Sequence, residues 1–329
     1  MNVAIARCHS EIVPVHDAKA LPMNTSLQNR RADEEAQLTV VPLKHHGRWI
    51  AAAILVLILF AMARSMITNP RFKWDLVWRY LIDDAILAGL ATTIWLTVAA
   101  MVIGTLLGTV LAIMRISKNP LLSNFASGYV WFFRGTPLLV QLIFWYNLSA
   151  LYPTISIGIP FGPSFVAVDA NQYITVYVAA CLGLGLNEGA YMSEIVRSGL
   201  NSVHSGQREA AEALGLSNAR ILFRVILPQA MRVIIPPTGN QLIGMLKTTS
   251  LVSVIALQEL LYSAQLIYTA NFQTIPLLIV ASIWYLVLTT VLSIGQYLLE
   301  RHFARSDRRL SIAKTDEGIA PGAMAPEAH

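Results

Sequence analysis

Long apolar segments constrain this chain more than any other feature of its sequence. A helix needs about 20 mostly apolar residues to cross the hydrocarbon core of a bilayer, and six segments approach or exceed that length. They lie at approximately residues 49–67, 86–116, 135–151, 173–195, 233–256 and 275–299. Only 13% of the 329 residues are charged, about half the share found in soluble domains. The sequence therefore predicts an all-α integral membrane protein with six spans.

Two polar stretches flank these segments. Residues 1–45 have mixed charge, and the stretch Arg30–Gln37, RRADEEAQ, cannot serve as the apolar core of a signal peptide. Residues 304–329 combine Gly, Pro, Ala and scattered charge, a composition that also favours a loosely ordered tail. The sequence therefore predicts tails at 1–45 and 304–329, a first transmembrane helix at 46–68 and a transmembrane domain at 69–303.

Lys and Arg residues predict the orientation of the spans, because cytoplasmic connections are enriched in both. With both termini in the cytoplasm, most of the 24 Lys and Arg residues fall on the inner side, and Lys247 falls within a span. Those that fall outside are Arg64, Arg71, Lys73 and Arg79. We therefore expect cytoplasmic termini, an inner segment at 200–230, and outer segments at 69–84 and 156–171.

The inner stretch 206–230, GQREAAEALGLSNARILFRVILPQA, interrupts the apolar pattern with short alanine-rich helices. Gln207–Leu214 contains good helix formers, and Gly215 can take the left-handed conformation that ends a helix. Ser217 can cap a second short helix that ends before Pro228. A low, charged surface of this kind suits docking into a groove of a second protein, but it is equally typical of a solvated connector between spans.

Several ordered motifs resemble a known family. EAAEALG at Glu209–Gly215, followed by ILP, resembles the EAA loop in permease subunits of ATP-binding-cassette (ABC) importers, and further stretches resemble the polar amino acid branch. They are FRGTPLLVQL (133–142), NEGAYMSEIVRSGL (187–200), GQREAAEALGLS (206–217), LPQAMRVIIPPTGNQ (227–241) and LKTTSLVSVI (246–255). The resemblance covers roughly residues 81–303. It implies the type I ABC importer permease fold, with a five-helix core and one extra N-terminal transmembrane helix.

The resemblance also implies partners. The chain would form a homodimer or a heterodimer with a similar subunit, two ATPase subunits would dock on it, and an external binding protein would deliver a polar amino acid. ATP and Mg²⁺ would be held by the ATPase, because this chain contains no Gly-x-x-x-x-Gly-Lys-Ser/Thr loop. We therefore expect a multi-pass transport subunit of the cell inner (plasma) membrane, in contact with lipid, that is not an enzyme. No cofactor, metal or nucleic acid is expected to bind to it.

In this resemblance the coupling loop, residues 204–228, sits in a cleft of the ATPase. The residues expected to make or support that contact are Gln207, Glu209, Ala210, Ala211, Gly215, Leu227 and Pro228. Ala210 and Ala211 are expected on the docking surface, since small side chains permit close approach.

Two charged residues within apolar spans are candidates for the transport pathway. Glu188 lies near the middle of the fourth span, and Lys247 lies at a similar depth in the fifth. A charge at the centre of a bilayer costs about 2.5–3.5 kcal/mol on insertion scales, so such residues have a partner or a water-filled cavity. The two could pair and only fix helix packing. Alternatively, they could line the pathway together with four polar residues: Asn187, Asn240, Gln241 and Thr248. The family often has an acidic or amide residue where this chain has Thr248.

Other residues have local structural interpretations. Glu194 and Arg197 lie three apart on one helical face and predict an ion pair. Small residues in Gly104–Gly108 permit close helix approach, whereas Pro236–Pro237 are expected to break the start of the fifth span. Arg134 would either reach the membrane interface or pair with the coupling region.

Two other classes of membrane protein compete with the importer. An ATP-independent channel or secondary carrier could use Glu188 as a proton or ion site, although the coupling loop and the lack of internal duplication argue against it. A membrane-embedded enzyme would need a nucleophile and a base, or a cluster of metal ligands. The predicted spans contain no histidine and one cysteine, Cys181.

Overall fold

Residues 46–158 and 164–317 are described by the computed structural model, and most of them are helical. They divide into two units, one ending at Thr68 and the other beginning at Asn69. The first unit contributes helix α1, His46–Thr68. Every side chain from Gly47 to Thr68 is exposed, and the 23 residues of α1 extend about 35 Å. This helix therefore has the length and the apolar surface of a lipid-facing span.

The second unit combines helices with one small hairpin. In chain order its elements are α2 (Trp74–Leu81), α3 (Asp84–Ile116), α4 (Pro120–Gly135), α5 (Leu138–Tyr146), α6 (Leu148–Leu151), β1 (Thr154–Gly158), β2 (Ser164–Asp169), α7 (Ala170–Tyr173), α8 (Val176–Asn201), α9 (Ser205–Ala213), α10 (Asn218–Ile221), α11 (Leu227–Thr248), α12 (Leu260–Asn271) and α13 (Thr274–Glu317). Strands β1 and β2 pair antiparallel, with Thr154 opposite Asp169.

Four helical stretches of the described residues are long and apolar enough to cross a membrane. They are Gly47–Thr68, Asp84–Ile116, Asn218–Ile255 and Thr274–His302. These stretches confirm the first, second, fifth and sixth predicted spans as helices of sufficient length. Helix α8, with 26 residues, is also long enough, but the polar side chains within it lower its apolar character.

The third predicted span is wrong as a single helix. Residues 135–151 contain the end of α4, all of α5 and the short α6, and α4 is separated from α5 by Thr136 and Pro137 in extended conformation. The cause is local, because a proline disfavours the helical conformation of the residue before it and cannot donate its own backbone nitrogen. The apolar run that suggested one span is therefore a broken helix.

In the fifth predicted span, by contrast, the prolines do not break the helix. The second short helix of the coupling loop was expected to end before Pro228, but α10 continues through a π turn at Leu222–Ile226 directly into α11. Pro236 and Pro237 lie inside α11, so the predicted break there is also wrong. In membrane helices, neighbouring side chains can satisfy backbone groups near a proline. Separately, the Gln296 Nε2 of α13 donates to the Pro236 carbonyl at 2.7 Å, which ties α13 to this part of α11.

Glycines bring α3 and α8 into close contact at the centre of the second unit. A Cβ atom at Gly104 would lie 2.5 Å from Glu188 Cγ, and one at Gly108 would lie 2.5 Å from Met192 Cβ. The facing glycines of α8 are equally restricted, since a Cβ at Gly185 would lie 2.7 Å from Ile103 Cγ2. The predicted close approach at Gly104–Gly108 is thereby confirmed, because contacts this short leave no room for larger residues.

A second apolar cluster joins α2, α12 and α13 to the start of α3. Its fully buried residues include Val77, Ile86, Leu260 and Leu277. The Trp284 Nε1 donates to the Leu81 carbonyl at 2.9 Å, which ties α13 to the end of α2. Helices α12 and α13 are thus packed against α3 at the end opposite the coupling loop.

Gly104→Ala is expected to destabilise the protein by about 1–3 kcal/mol, because the added methyl group overpacks the α3–α8 contact. Gly128→Ala is the matched control, since a Cβ there meets nothing within 4 Å and alanine favours a helix. The measurement is the fraction of detergent-solubilised protein that stays monodisperse after heating. Equal thermal stability of the two variants would contradict the close packing.

Candidate functional site

Glu188 lies at the contact between α3 and α8 and is only 3% exposed. Its carboxylate accepts hydrogen bonds from the Gln241 Nε2 of α11, at 3.2 Å to Oε1 and 3.4 Å to Oε2. The missing side chain of Gly104 provides the space for Glu188. The acidic group is therefore positioned by three helices and held by a neutral amide.

Lys247 lies apart from Glu188. Its side chain is exposed on the last turn of α11, and no ion pair joins it to Glu188 among the residues that the structure describes. The helix geometry explains the separation, because six residues between Gln241 and Lys247 correspond to a rotation of about 240°. The two charges thus do not form the pair that one interpretation of the sequence required.

Asn240 and Lys247 share one exposed face of α11. They are seven residues apart, which is about two helical turns, and both side chains are exposed. Thr248 is half-buried, and its Oγ1 donates to the Gly244 carbonyl of the same helix at 3.0 Å. One helix therefore presents two polar side chains on its open side and holds Glu188 through Gln241 on another.

Asn187 lies at the break between α4 and α5, apart from the other candidate pathway residues. Its Nδ2 donates to the Phe133 carbonyl at 2.9 Å and to the Gln141 Oε1 at 3.2 Å. The Gln141 Nε2 in turn donates to the Phe133 carbonyl at 3.0 Å. Asn187 and Gln141 thereby hold the break between α4 and α5. Sequence reasoning did not single out Gln141, although a glutamine within LLVQLIFWY was a visible signal.

A cluster of charges ties α3 to the end of α8. The Arg197 Nη2 lies 2.6 Å from the Glu194 Oε1, which confirms the predicted local pair. The Arg115 Nη1 contacts the other oxygen of the same carboxylate. Because Arg115 lies in the last turn of α3, this cluster fixes the end of α3 against the part of α8 that leads to the coupling loop.

Arg134 lines a pocket of about 340 Å³. Its guanidinium lies 5.3 Å from the centre of the Tyr191 ring, within the range of a cation–π contact. Glu194, Ser198 and Gln241 also line this pocket. The contact places Arg134 against α8 rather than against the coupling loop.

The coupling loop begins with α9 and turns at Gly215, whose φ is +71°. The Gly215 N–H donates to the Glu212 carbonyl at 2.9 Å, and the Leu216 N–H donates to the Ala211 carbonyl at 3.2 Å. These two bonds are the pattern of a glycine-terminated helix. The predicted left-handed turn is therefore confirmed.

The exposed surface of the loop differs in one residue from the expected one. Ala211 is only 4% exposed, because it faces the chain's own helices, whereas Ala210 is exposed. Leu214 is 81% exposed, a large apolar side chain in open position. The remaining predicted residues are placed as follows: Gln207, Glu209, Gly215 and Pro228 are exposed, and Leu227 is half-buried.

A second buried carboxylate escaped the sequence analysis. Glu259 has no exposed surface and accepts hydrogen bonds from the backbone at the start of α12. Glutamate is not a preferred N-cap residue, so the only signal in the sequence was a negative charge before the apolar run LLYSAQLIY, which is favourable at a helix start; no helix was predicted there.

Comparison with known proteins gives this geometry a context. Residues 104–305 match the family described as the binding-protein-dependent transport system inner membrane component. The chain belongs to this family. The permease is 46% identical over 289 residues to the arginine transport system permease protein ArgU of Corynebacterium glutamicum, which covers 85% of this chain and 90% of the relative. It is 38% identical over 242 residues to the L-cystine transport system permease protein TcyB of Bacillus subtilis, which covers 73% and 95%.

Solved structures show the same fold. A chain in the crystal structure of an amino acid ABC transporter with histidines is 36% identical and superposes with a TM-score of 0.56. The match covers 66% of this permease and 94% of that chain. An inward-facing MetNI methionine ABC transporter chain superposes with a TM-score of 0.50 at 18% identity, over 68% of this permease and 96% of that chain. The predicted type I permease fold is thereby confirmed.

Proposed function

We propose that this permease is the membrane subunit of an ATP-driven importer that carries a polar amino acid delivered by an external binding protein. The relatives support the substrate class, because their names refer to arginine and L-cystine. Within the structure, the coupling loop is the observation that carries the proposal. It presents a short charged helix that ends in an exposed apolar residue, Leu214, and a second large apolar side chain, Phe223, is exposed in the same loop.

The exposed face of α9 suits a groove on an ATPase subunit. Gln207 and Ala210 give it a low surface, and Leu214 supplies apolar area that would be buried on docking. The Arg208–Glu212 pair, at 3.1 Å, stabilises the helix from its solvated side. Two such loops, one from each subunit of a homodimer or a heterodimer, would receive two ATPase subunits that bind ATP and Mg²⁺.

Ala210→Arg is expected to abolish uptake and substrate-stimulated ATP hydrolysis, because a long charged side chain would block the docking face. The measurement is uptake and ATP hydrolysis by proteoliposomes that contain the permease with its ATPase and binding protein. Ala150→Arg is the matched control, since Ala150 is also exposed but lies in α6, away from the loop. Wild-type uptake by Ala210→Arg would show that the loop is a connector between spans and does not dock on the ATPase.

The orientation follows from the charge distribution. The docking face requires the coupling loop to be cytoplasmic, and the excess of Lys and Arg in that loop and in both tails agrees with inner-side placement. Both termini would then be cytoplasmic in the inner membrane. The β1–β2 hairpin would face outward.

An impermeant thiol reagent is expected to label a cysteine at position 171 but not one at position 212 in intact cells. Asn171 and Glu212 are both exposed, so a difference in labelling reports the side of the membrane. Position 212 should react after the cells are permeabilised. External labelling at position 212 would overturn the orientation.

The open face of α11 supports a substrate pathway. A lysine and an asparagine facing lipid would be costly, so Asn240 and Lys247 are expected to face water or the second permease subunit. Glu188 lies behind this face, connected through Gln241. A carboxylate can accept from the ammonium group of an amino acid, and Lys247 can donate to its carboxylate. ATP binding to the ATPase pair would move the permease halves and open this face alternately to each side.

Glu188→Gln and Lys247→Met are each expected to lower uptake by more than about tenfold, because each removes a charge from the pathway. Since the two residues do not pair, the double variant should not recover transport. Lys118→Met is the control, as Lys118 is exposed in the connection between α3 and α4. Wild-type uptake in both single variants, or recovery in the double variant, would remove these residues from the pathway.

A further inference from the structure

Glu259 stands out because it is fully buried and has no role in the pathway described above. It is the N-cap of α12, and its carboxylate accepts from the Leu261 N–H at 3.0 Å and from the Tyr262 N–H at 2.7 Å. A negative charge at this end also interacts favourably with the helix dipole. The carboxylate therefore fixes the beginning of α12.

The same carboxylate connects α12 to two other helices. Its Oε2 accepts from the Tyr285 hydroxyl of α13 at 2.8 Å and lies 3.5 Å from the Thr93 hydroxyl oxygen of α3. The Thr93 hydroxyl also accepts from the Leu260 N–H at 3.1 Å. One buried group thus joins three helices in the protein interior, where the low local dielectric strengthens each of these bonds.

The segment before Glu259 has a backbone that needs such support. A 3-10 turn, Thr249–Ile255, continues directly from α11, and Ala256 then takes φ of +60°. A left-handed alanine is uncommon and persists where the surrounding structure holds it. The turn is further closed by the Leu257 N–H, which donates to the Val252 carbonyl at 3.3 Å. This 249–258 turn follows the end of α11, which contains Lys247 and Thr248. It ends at Glu259, the N-cap of α12.

We propose that Glu259 is a positioning residue for transport. Its carboxylate holds the 249–258 turn between α3 and α13, and the turn holds the end of α11, where Lys247 faces the pathway. The role in transport rests on the proposed function. The role in holding the turn rests on the contacts of Glu259 alone.

The chemistry requires a carboxylate at this position. Each carboxylate oxygen accepts hydrogen bonds, and together they meet two backbone N–H groups and the Tyr285 hydroxyl. In Glu259→Gln one of the two terminal atoms becomes an NH₂ group, which donates and cannot accept. At least one buried donor of the cluster would then lose its partner, and bonds to a charged acceptor are the stronger ones.

The test measures the turn and transport separately. A spin label at position 254 reports the turn, because Val254 lies within it and is 57% exposed. The label is placed in a background without Cys8 and Cys181, in the full transporter reconstituted in proteoliposomes. Glu259→Gln should increase the mobility of the label and lower uptake per assembled transporter by about tenfold. Tyr285→Phe should have a smaller effect in the same direction.

A matched control and a double variant sharpen this test. Ser263→Ala removes a buried hydroxyl one turn after Glu259 that has no hydrogen-bond partner among the described residues, so it should leave both readouts unchanged. The cost of Glu259→Gln combined with Tyr285→Phe should differ from the sum of the two single costs, because both changes act on one hydrogen-bond network.

Three outcomes would overturn the inference. They are an immobile label in Glu259→Gln, a mobile label with normal uptake, and a loss of uptake that only matches a loss of assembled protein. Failure of the proposed function looks different, because the wild-type transporter itself would then not import amino acids, while label mobility would still respond to Glu259→Gln.

Discussion

The glycine contact between α3 and α8 is the constraint on which the rest of the second unit depends. Without a hydrophobic driving force between helices in lipid, close van der Waals packing must hold them together. Gly104 and Gly108 provide that packing, and Gly104 also leaves the space in which Glu188 lies. A side chain at Gly104 would displace the carboxylate and, with it, the Gln241 contact that places α11. Gly104 thus determines both the packing of α3 on α8 and the position of the Glu188 carboxylate.

Buried polar side chains fix the helix arrangements that the α3–α8 glycine contact does not determine. In a bilayer, a polar atom without a partner costs several kcal/mol, so each such group selects one arrangement of its neighbours. Asn187 and Gln141 select the broken α4–α5 helix, and Glu259 selects the junction of α3, α12 and α13. These groups serve the architecture, whereas Lys247 and Asn240 remain on an open face of α11. This difference separates structural polar residues from candidates for substrate contact.

The sequence predicted features that depend on neighbouring residues. The left-handed Gly215 and the Glu194–Arg197 pair both follow from spacings of a few residues, and both are confirmed. Contacts between distant residues were not accessible in this way. Gln241 lies 53 positions from Glu188, and nothing in either motif indicates that an amide, not Lys247, holds the carboxylate. The prolines were misjudged because a proline inside a membrane helix is tolerated where the surrounding structure satisfies the backbone, and the local pattern does not show those surroundings. Ala211 was misjudged at shorter range, because α9 packs against α10 and the π turn of the same loop.

The continuity of residues 218–255 connects the two candidate sites. Because α10 passes through its π turn into α11, and α11 into the Thr249–Ile255 turn, one helical stretch runs from the coupling loop to the proposed pathway. Its irregular turns mark the two ends, at Leu222–Ile226 and Thr249–Ile255. Movement at the proposed ATPase contact would therefore reach Gln241 and Lys247 through one helix, while Glu259 holds the far end. In the proposed cycle, this helix would carry a displacement of the coupling loop to the exposed face of α11, where Asn240 and Lys247 lie.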